Sequence, residues 1–431
     1  MLRKRAYRAT SVKNVNAEAV RKELSSGLVW VGLDIAKEEV LAVVRDEAGK
    51  FLRPWKVKQP GAIREFTARL RELAAGRRMV VAMESTGTYG DALRQALTDA
   101  GLSVHRVSSK AVGDFAEIFD GVPSAHDGKD AAIVAELAAI GKSTPWPYEA
   151  DSEAEGNLAA EVSWLDAQQD IAQLWLGRLE GLLARHWPEA TRKLKLSSST
   201  LLRALCHYGS PLALAEEPQA AEQLATWGGR FLTGDKIASL VESARETVGV
   251  RMTEPDKTWM RRCAGEALQA QGEIRRAKRR LAKMATQDDS IRRQAKVVGA
   301  ATASVLRATV GKPEDYRCGA AYCKAMGLNL KERSSGKHQG KLKITKRGPS
   351  RARRWLYFAA LRIVQKHPVR RWFEAKKKRD QDRGRGAVIA VMRKLALAIW
   401  AVTVRGEPFE LSRLFPGRPW GKTSRGRLAT R

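Results

Sequence analysis

Residues 28–57 read LVWVGLDIAKEEVLAVVRDEAGKFLRPWKV and decide the fold of the N-terminal part of the chain. The first stretch, 28–36, is an almost continuous apolar run that carries Asp34 near its end. Two further apolar stretches lie on either side of the turn signal at 47–49. Short runs rich in β-branched residues and bounded by turn signals predict strands. The stretch therefore predicts three consecutive strands.

Helix and strand patterns alternate after these three strands. The segments with helical spacing are 61–76 and 89–101, the segments typical of strands are 78–85 and 102–108, and a last helix includes 130–141. Three leading strands followed by alternating helices and strands predict a mixed five-stranded sheet with helices packed on it. This is the order of the ribonuclease H-like fold, so we predict an α/β fold here.

The rest of the chain is almost entirely helical in pattern, which predicts an all-α second part. Two long amphipathic segments, 163–190 and 256–287, are predicted to pair as an antiparallel hairpin or to drive dimerisation. The predicted divisions are a basic N-terminal extension (1–27), the α/β domain (28–145), a helical coiled-coil region (155–290) with an insert at about 197–250, a mostly helical basic domain (291–410) and a disordered basic tail (411–431).

Charge is unevenly distributed along the 431 residues, whose formal net charge is +31. Residues 325–431 contain 29 Lys and Arg but 6 Asp and Glu, a net charge of +23. Such a block attracts polyanions, with nucleic acid as the leading candidate and an anionic membrane as the weaker one. No apolar run is read as a transmembrane segment, and the basic N-terminus lacks the apolar core of a signal peptide. We expect a cytoplasmic, nucleoid-associated bacterial protein without a membrane partner.

The four cysteines do not form a recognisable metal or disulfide pattern. Cys206, Cys263, Cys318 and Cys323 are scattered, and the last two have four residues between them without a second Cys/His pair at zinc spacing. We therefore expect reduced, mostly buried thiols.

Four carboxylates stand at matching positions of the predicted fold. Asp34 ends the first strand, Glu84 ends the fourth, and Asp127 and Asp130 lie three residues apart at the start of a helix, on one helical face. Strands one and four are neighbours in a ribonuclease H-like sheet, so these side chains are expected to converge. Crowded carboxylates repel unless a cation neutralises them, and hard oxygen ligands suit Mg²⁺ or Mn²⁺.

Each of these acids also has an ordinary structural interpretation. An Asp at a strand end is commonly a turn or cap residue, and acids at a helix N-terminus favour the helix dipole. Asp46, Asp91 and Asp114 lack a comparable placement and are interpreted as structural. His126 is interpreted as a surface residue, with a supporting role beside Asp127 as the alternative.

Residues 331–348, KERSSGKHQGKLKITKRG, combine two serines with seven Lys and Arg. Read alone, the segment is a basic loop in which Ser334 or Ser335 is an ordinary hydroxyl or a nucleophile, and most of its cations contact nucleic-acid backbone. The candidate nucleic-acid-binding residues are Arg333, Lys337, Lys341, Lys343, Lys346, Arg347, Arg351 and Arg354.

The chain resembles the insertion-sequence transposases that join an N-terminal RuvC-like DEDD domain to a C-terminal serine transposase domain. That family includes the bridge-RNA-guided recombinases and is similar to the pilin-gene invertases. The motifs that carry the resemblance are VGLDIAK (31–37), VVAMESTGTYG (80–90), HDGKDAAIVA (126–135) and the stretch from AMGLNLKERSSG to RRWLYFAA (325–360). The chain departs from the common pattern at His126, where Thr or Asn is commoner, and at Asn329, where proline is often found.

The resemblance implies roles for particular residues. Asp34, Glu84, Asp127 and Asp130 are implied to bind metal, and Ser335, before Gly336, is implied to attack DNA and form a phosphoserine link. A structured noncoding RNA is implied to select target and donor DNA. The acidic domain of one protomer and the serine domain of another are implied to share an active site within a homodimer or homotetramer.

Two other functions fit the same residues. A metal-dependent nuclease of the Holliday-junction type needs the carboxylates while water, rather than serine, attacks the phosphate. A noncatalytic nucleic-acid-binding protein needs neither, and the presence of all four acids argues against it. A serine- and metal-dependent DNA transposase accounts for both motif sets, so it is the predicted function.

Overall fold

The computed structural model describes residues 9–25, 27–85, 87–119, 127–332, 342–381 and 384–415, together with the backbone of 334–335 and 338–339. Two compact units make up the chain, residues 1–150 and 151–431. The elements of the first unit are β1 (Thr10–Ser11), α1 (Ala17–Glu23), β2 (Val29–Ile35), β3 (Glu39–Arg45), β4 (Trp55–Lys58), α2 (Ile63–Ala74), β5 (Met79–Glu84), α3 (Asp91–Asp99), β6 (Ser103–Val107), α4 (Ser109–Phe119), α5 (Asp127–Ala139) and β7 (Ser143–Pro145).

The strands of the first unit form one mixed sheet. Within the described residues its order is β1-β4-β3-β2-β5-β6-β7. Strand β2 is antiparallel to β3 and parallel to β5, which is in turn parallel to β6. The five predicted strands occupy the middle of the sheet in ribonuclease H-like order. The predicted α/β fold of this part of the chain is therefore confirmed.

Two edge strands were not predicted. Strand β1 has two residues, and β7 has three and ends in a proline. Runs this short carry no readable periodicity, and each contacts the sheet along one side. Residues 10–23 were expected to belong to an extension, yet they add β1 and α1 to the unit, and Val12 is buried in its core.

Helices cover both faces of the sheet. Helices α2 and α3 bury Phe66, Leu70 and Leu97 against the face formed by Val31 and Leu33 of β2. Helices α4 and α5 cover the opposite face around Ala82 and Val107. Because both faces are buried, β2 and β3 read as nearly continuous apolar runs rather than as alternating ones.

The second unit is helical apart from short strands. Its elements are α6 (Glu153–His186), α7 (Ala190–Lys193), α8 (Ser199–Tyr208), α9 (Pro211–Glu216), α10 (Ala220–Gly228), α11 (Gly234–Arg245), α12 (Glu254–Gln287), α13 (Asp289–Val298), α14 (Ala300–Val310), α15 (Gly319–Ala325), β8 (Leu330–Lys331), β9 (Ser334–Ser335), β10 (His338–Gln339), β11 (Lys343–Ile344), α16 (Ser350–Val364), α17 (His367–Asp380), α18 (Arg385–Val404) and α19 (Leu411–Leu414).

Helices α6 and α12 pair along their length. Each has 34 residues and begins with a capping box, at Ser152 and Thr253 respectively. Arg280 near the end of α12 bonds Glu161 near the start of α6 at 2.8 Å, so the two helices are antiparallel. One end of the pair packs with helices α8 to α11, and the other end packs with α13 to α18.

Helix α18 is the central helix of the C-terminal core. By length and composition alone, α18 could cross a membrane. The sequence was not expected to contain such a segment. Val391, Leu395 and Ile399 are fully buried against neighbouring helices, which identifies α18 as a core helix of this unit. All four cysteines are free, and Cys263 and Cys323 are buried.

The beginning of the predicted disordered tail is folded. Residues 411–414 form α19, and the Phe415 side chain is 1% exposed. Its ring lies 5.2 Å from that of Trp372 on α17 in an edge-on contact. An isolated aromatic residue in a basic, Gly- and Pro-rich sequence gives no periodic signal, which is why this contact was not predicted. Residues 416–431 lie outside the described part.

Candidate active site

Helix α5 packs unusually close to strand β2, at Gly32. A Cβ atom built on Gly32 would overlap the carbonyl oxygen of Ala131 and the backbone nitrogen of Ala135. Glycine in the interior of a strand often marks such an approach of another backbone. Gly32 belongs to the motif VGLDIAK, but no role was predicted for it, although a glycine inside a run of large apolar residues indicates such an approach.

The direction of α5 brings its first turn towards the end of β2. Trp30 packs with the cluster that contains Ile133 and Leu137, in the C-terminal half of α5. Trp30, Gly32 and Asp34 lie on one face of the sheet because side chains alternate along a strand. The helix therefore runs antiparallel to β2, with its N-terminal turn at Asp34.

Glu84 lies on the strand next to Asp34. Strands β2 and β5 are parallel with Leu33 opposite Met83, so the next residues along, Asp34 and Glu84, lie side by side on the same face. Both residues are half-buried. The sheet register thus accounts for one pair of carboxylates, and helix α5 accounts for the other.

The four acids share one electrostatic environment. The pKa of Asp34 is raised to about 6, mainly by burial and then by the negative charges of Asp130, Asp127 and Glu84, in that order. The structure therefore brings together the four carboxylates that the sequence singled out. Crowding of this kind is relieved by a cation.

The fit of these acids to a metal ion rests on the chemistry of the donors. Among the described residues, no group of three or more His, Cys, Asp or Glu is arranged so that it could hold a metal ion directly. The donor set nevertheless consists of carboxylates, and after burial it is their mutual repulsion that raises the pKa of Asp34. Hard divalent cations such as Mg²⁺ suit donors of this type.

Lys129 is a further residue of this turn that sequence reasoning missed. It follows Gly128 between Asp127 and Asp130, and it is 2% exposed. Buried lysines are rare unless paired. Helix α5 is buried on nearly all sides, so it lacks the polar face that ordinarily marks a solvated lysine.

The acids interpreted as structural have structural partners. Asp46 closes the turn after β3 and accepts hydrogen bonds from the backbone N–H groups of Lys50 at 2.8 Å and Ser25 at 3.2 Å. Asp91 pairs with Arg94, and Asp114 pairs with Lys110. His126 lies outside the described residues.

In the second unit, the serine segment (residues 331–348) contains short antiparallel strands in its described part. Lys331 pairs with Lys343 in one ladder, and Ser335 pairs with His338 in the next. Ser335 is thus the last residue of β9, and Ser334 is opposite Gln339. These strands were not predicted, because two residues are too few to show the alternation of side chains that is typical of a strand.

Hydrogen bonds fix the base of this segment. Thr345 N–H donates to the Asn329 carbonyl at 2.9 Å, and Lys346 N–H donates to the Gly327 carbonyl at 2.9 Å. Arg353 donates to the Gly348 carbonyl at 2.6 Å. The Asn329 side chain, at the position where proline is often found, accepts a hydrogen bond from the Thr345 hydroxyl at 2.5 Å.

The predicted nucleic-acid-binding residues have different placements. Lys343, Lys346 and Arg347 are exposed. Arg333, Lys337 and Lys341 lie outside the described residues.

Arg351 and Arg354 are held within the unit by the same acidic residue. Both form ion pairs with the buried carboxylate of Asp166 on α6, at 2.8 Å for Arg354. The indole N–H of Trp355 also donates to Asp166, at 3.4 Å. Because they form these ion pairs, the two arginines are less available to contact nucleic acid.

Two protein-family models match the chain. Residues 31–187 match a DEDD family described as a transposase, and residues 291–375 match a family described as Transposase IS116/IS110/IS902. The first match spans the strands and helix that carry the four acids, and the second spans the serine segment. No curated protein matches the chain significantly.

Proposed function

Because this chain belongs to the IS116/IS110/IS902 family of transposases, it is a DNA transposase, and we propose that it cuts and rejoins DNA through a phosphoserine link at Ser335. The observation that supports this proposal most directly is the shared environment of the four acids. Asp34 has a pKa near 6 because of its burial and three neighbouring carboxylates. Such perturbed groups concentrate at functional sites.

In the proposed reaction the serine oxygen replaces a deoxyribose oxygen on phosphorus. The serine hydroxyl gives up its proton as the Oγ–P bond forms, and the sugar oxygen takes up a proton as the P–O bond to it breaks. Attack by a free DNA hydroxyl on the phosphoserine link reverses these changes and restores the serine. Asp34, Glu84, Asp127 and Asp130 would hold Mg²⁺ or Mn²⁺, which supplies charge stabilisation for phosphoryl chemistry.

The exposed cations of the second unit have a supporting role in this proposal. Lys343, Lys346 and Arg347, in the C-terminal half of the serine segment, neutralise phosphate charge. A structured noncoding RNA that selects target and donor DNA is part of the proposal by family resemblance. We propose that the protein acts on DNA in the cytoplasm, in association with the nucleoid.

An exposed apolar stripe on α6 supports the proposed oligomer. Trp164, Ala167, Ile171 and Leu174 follow the 3-4-3 spacing of a coiled-coil seam, and the three larger side chains are 45, 38 and 54% exposed. A seam of this spacing buries its apolar residues against another helix. We propose a homodimer or homotetramer in which the acids and the serine of one active site come from different protomers.

A comparison of acid and serine variants tests the proposed function. Asp34→Asn and Ser335→Ala are both expected to lose recombination of a supercoiled substrate in Mg²⁺, whereas Ser334→Ala retains it. If Ser335→Ala and Ser334→Ala each cut DNA at the wild-type rate while Asp34→Asn does not, the protein is a metal-dependent nuclease of the Holliday-junction type.

A further inference from the structure

Helix α16 exposes two adjacent aromatic side chains. Tyr357 is 42% exposed and Phe358 is 50% exposed, and their ring centroids lie 5.7 Å apart in an edge-on arrangement. Ala359 and Ala360, which follow them, are buried in the core, so the aromatic pair belongs to the outer side of the helix. Exposed aromatic faces on a basic domain are the surfaces on which unpaired nucleobases stack.

Positive charges accumulate beside the aromatic pair. Arg362 lies one helical turn after Phe358, on the same side of α16. Its guanidinium donates to the Thr302 hydroxyl at 3.2 Å and to the Val298 carbonyl at 3.5 Å. Arg362 thus reaches the junction between the C-terminal end of α13 and the first turn of α14.

Lys278 of α12 adds a second cation at this place. Partial burial and then the charge of Arg362 lower the pKa of Lys278, which shows that the two cations are close enough to repel each other. In the part of the chain that the structure describes, neither side chain forms an ion pair with a carboxylate. An anion bound between them would relieve this repulsion.

We propose that Tyr357, Phe358, Arg362 and Lys278 form a site for an unpaired DNA strand. One or two bases stack on the aromatic rings, and the adjoining phosphate lies between the two cations. A protein partner fits less well, because an apolar protein surface placed here would leave the two cations without an anion.

DNA is the occupant because it is the substrate of a transposase, and strand exchange exposes unpaired bases. The proposal rests on the proposed function only in taking DNA as the ligand. It does not require a serine nucleophile, so failure of the binding test below leaves the serine mechanism untouched, and failure of that mechanism leaves this site untouched.

Binding of labelled oligonucleotides to the full-length protein tests the site. Base–aromatic stacking contributes about 1–3 kcal/mol per base, so Tyr357→Ala with Phe358→Ala is expected to weaken single-stranded DNA binding by about tenfold or more. Lys278→Gln is expected to reduce the slope of log affinity against log salt by about one. The affinity of the Tyr357→Ala, Phe358→Ala double variant for duplex DNA is expected to differ from that of wild type by less than twofold.

Phe231 provides a matched control, since it is 78% exposed and lies under Arg230, 4.9 Å from the ring centroid. Phe231→Ala is expected to leave single-stranded affinity unchanged. Equal losses in Phe231→Ala and the double variant, unchanged DNA affinity in the double variant, or a loss confined to single-stranded RNA would each overturn the proposal.

Photocrosslinking of the wild-type protein gives a measurement that does not depend on the folding of a variant. Single-stranded DNA carrying 5-iodo-deoxyuridine is expected to crosslink to the tryptic peptide 355–362, at Tyr357 or Phe358. Crosslinks found only in other peptides would contradict the site.

Discussion

Gly32 of strand β2 lies so close to Ala131 of helix α5 that a side chain at residue 32 would overlap the helix backbone. Asp34 follows Gly32 on the same face of the sheet, and Asp127 and Asp130 lie in the first turn of that helix. The approach at Gly32 therefore sets how near the acids of helix and strand lie to one another. A side chain at residue 32 that prevents this approach is expected to lower both stability and catalysis.

Replacement of Gly32 by alanine tests this relationship. The added methyl group forces α5 away from β2, and overpacking of this kind typically costs about 1–3 kcal/mol. We expect Gly32→Ala to lower the free energy of unfolding in urea by at least about 2 kcal/mol and to reduce DNA cleavage by more than tenfold.

Gly113 on α4 provides the matched control, because a Cβ atom built there meets nothing within 4 Å. Gly113→Ala is expected to keep wild-type cleavage and to gain up to about 1 kcal/mol of stability from helix propensity. Wild-type stability and activity in Gly32→Ala would show that the close approach does not position the acids.

Asp46 is expected to contribute to stability in a pH-dependent way. Burial raises its pKa, but hydrogen bonds from the backbone N–H groups of Lys50 and Ser25 outweigh burial and hold the pKa below the ordinary 3.8. A lowered pKa in the folded state means that the contribution is present above pH 3.8 and is lost as the pH falls through the lowered value. Asp46→Ala is expected to cost about 2 kcal/mol at pH 7.

Urea titrations at pH 7 and below pH 3 check this dependence. The difference in unfolding free energy between wild type and Asp46→Ala should shrink in acid. A difference that is the same at both pH values would mean that the ionised carboxylate is not what stabilises the turn.

Arg351 and Arg354 are expected to act mainly on stability. The Asp166 side chain is 11% exposed, whereas the side chains of Arg351 and Arg354 are 38 and 41% exposed. Removal of both arginines leaves a buried carboxylate without an ion pair, which costs about 3 kcal/mol. Asp166→Ala is expected to cost less, because the freed arginines can turn towards water.

Thermal and urea unfolding of wild type, the double arginine variant and Asp166→Ala compares their free energies of unfolding. Arg347→Ala, at an exposed cation of the same region, is the control and should lie within about 0.5 kcal/mol of wild type. If the double arginine variant is as stable as wild type but binds DNA more weakly, the two residues are nucleic-acid contacts, as the sequence predicted.

The α6 stripe predicts the oligomeric state. Ile171→Glu with Leu174→Glu places charges on the proposed seam, so we expect sedimentation velocity to show the monomer where wild type forms a dimer or tetramer. Gln173→Glu, at a neighbouring exposed position, should sediment like wild type. An unchanged mass in the double variant would place the interface elsewhere.

The central sheet and the four acids were accessible from sequence because each has a strong local signal. Strand β2 is a buried apolar run, and Asp34 and Glu84 stand at strand ends that ribonuclease H-like topology brings side by side. The i, i+3 spacing of Asp127 and Asp130 adds a helical constraint. Local periodicity, together with the neighbouring positions of the first and fourth strands in a ribonuclease H-like sheet, was sufficient to predict the central sheet and its four acids.

The features that were missed depend on contacts between distant residues. The sequence neighbours of Arg354 do not reveal Asp166, 188 positions earlier, as its partner. Lys129 reads as a solvated charge until helix α5 is found to be buried on nearly all sides. Edge strands β1 and β7 have too few residues for any period to be read.

A covalent protein–DNA adduct on a denaturing gel tests the central claim most directly. The wild-type protein and Ser334→Ala, incubated with Mg²⁺ and a nicked substrate that traps the intermediate, are expected to form an adduct whose phosphodeoxynucleotide maps to Ser335. Ser335→Ala is expected to form none. Recombination without any adduct, or an adduct that persists in Ser335→Ala, would contradict the account.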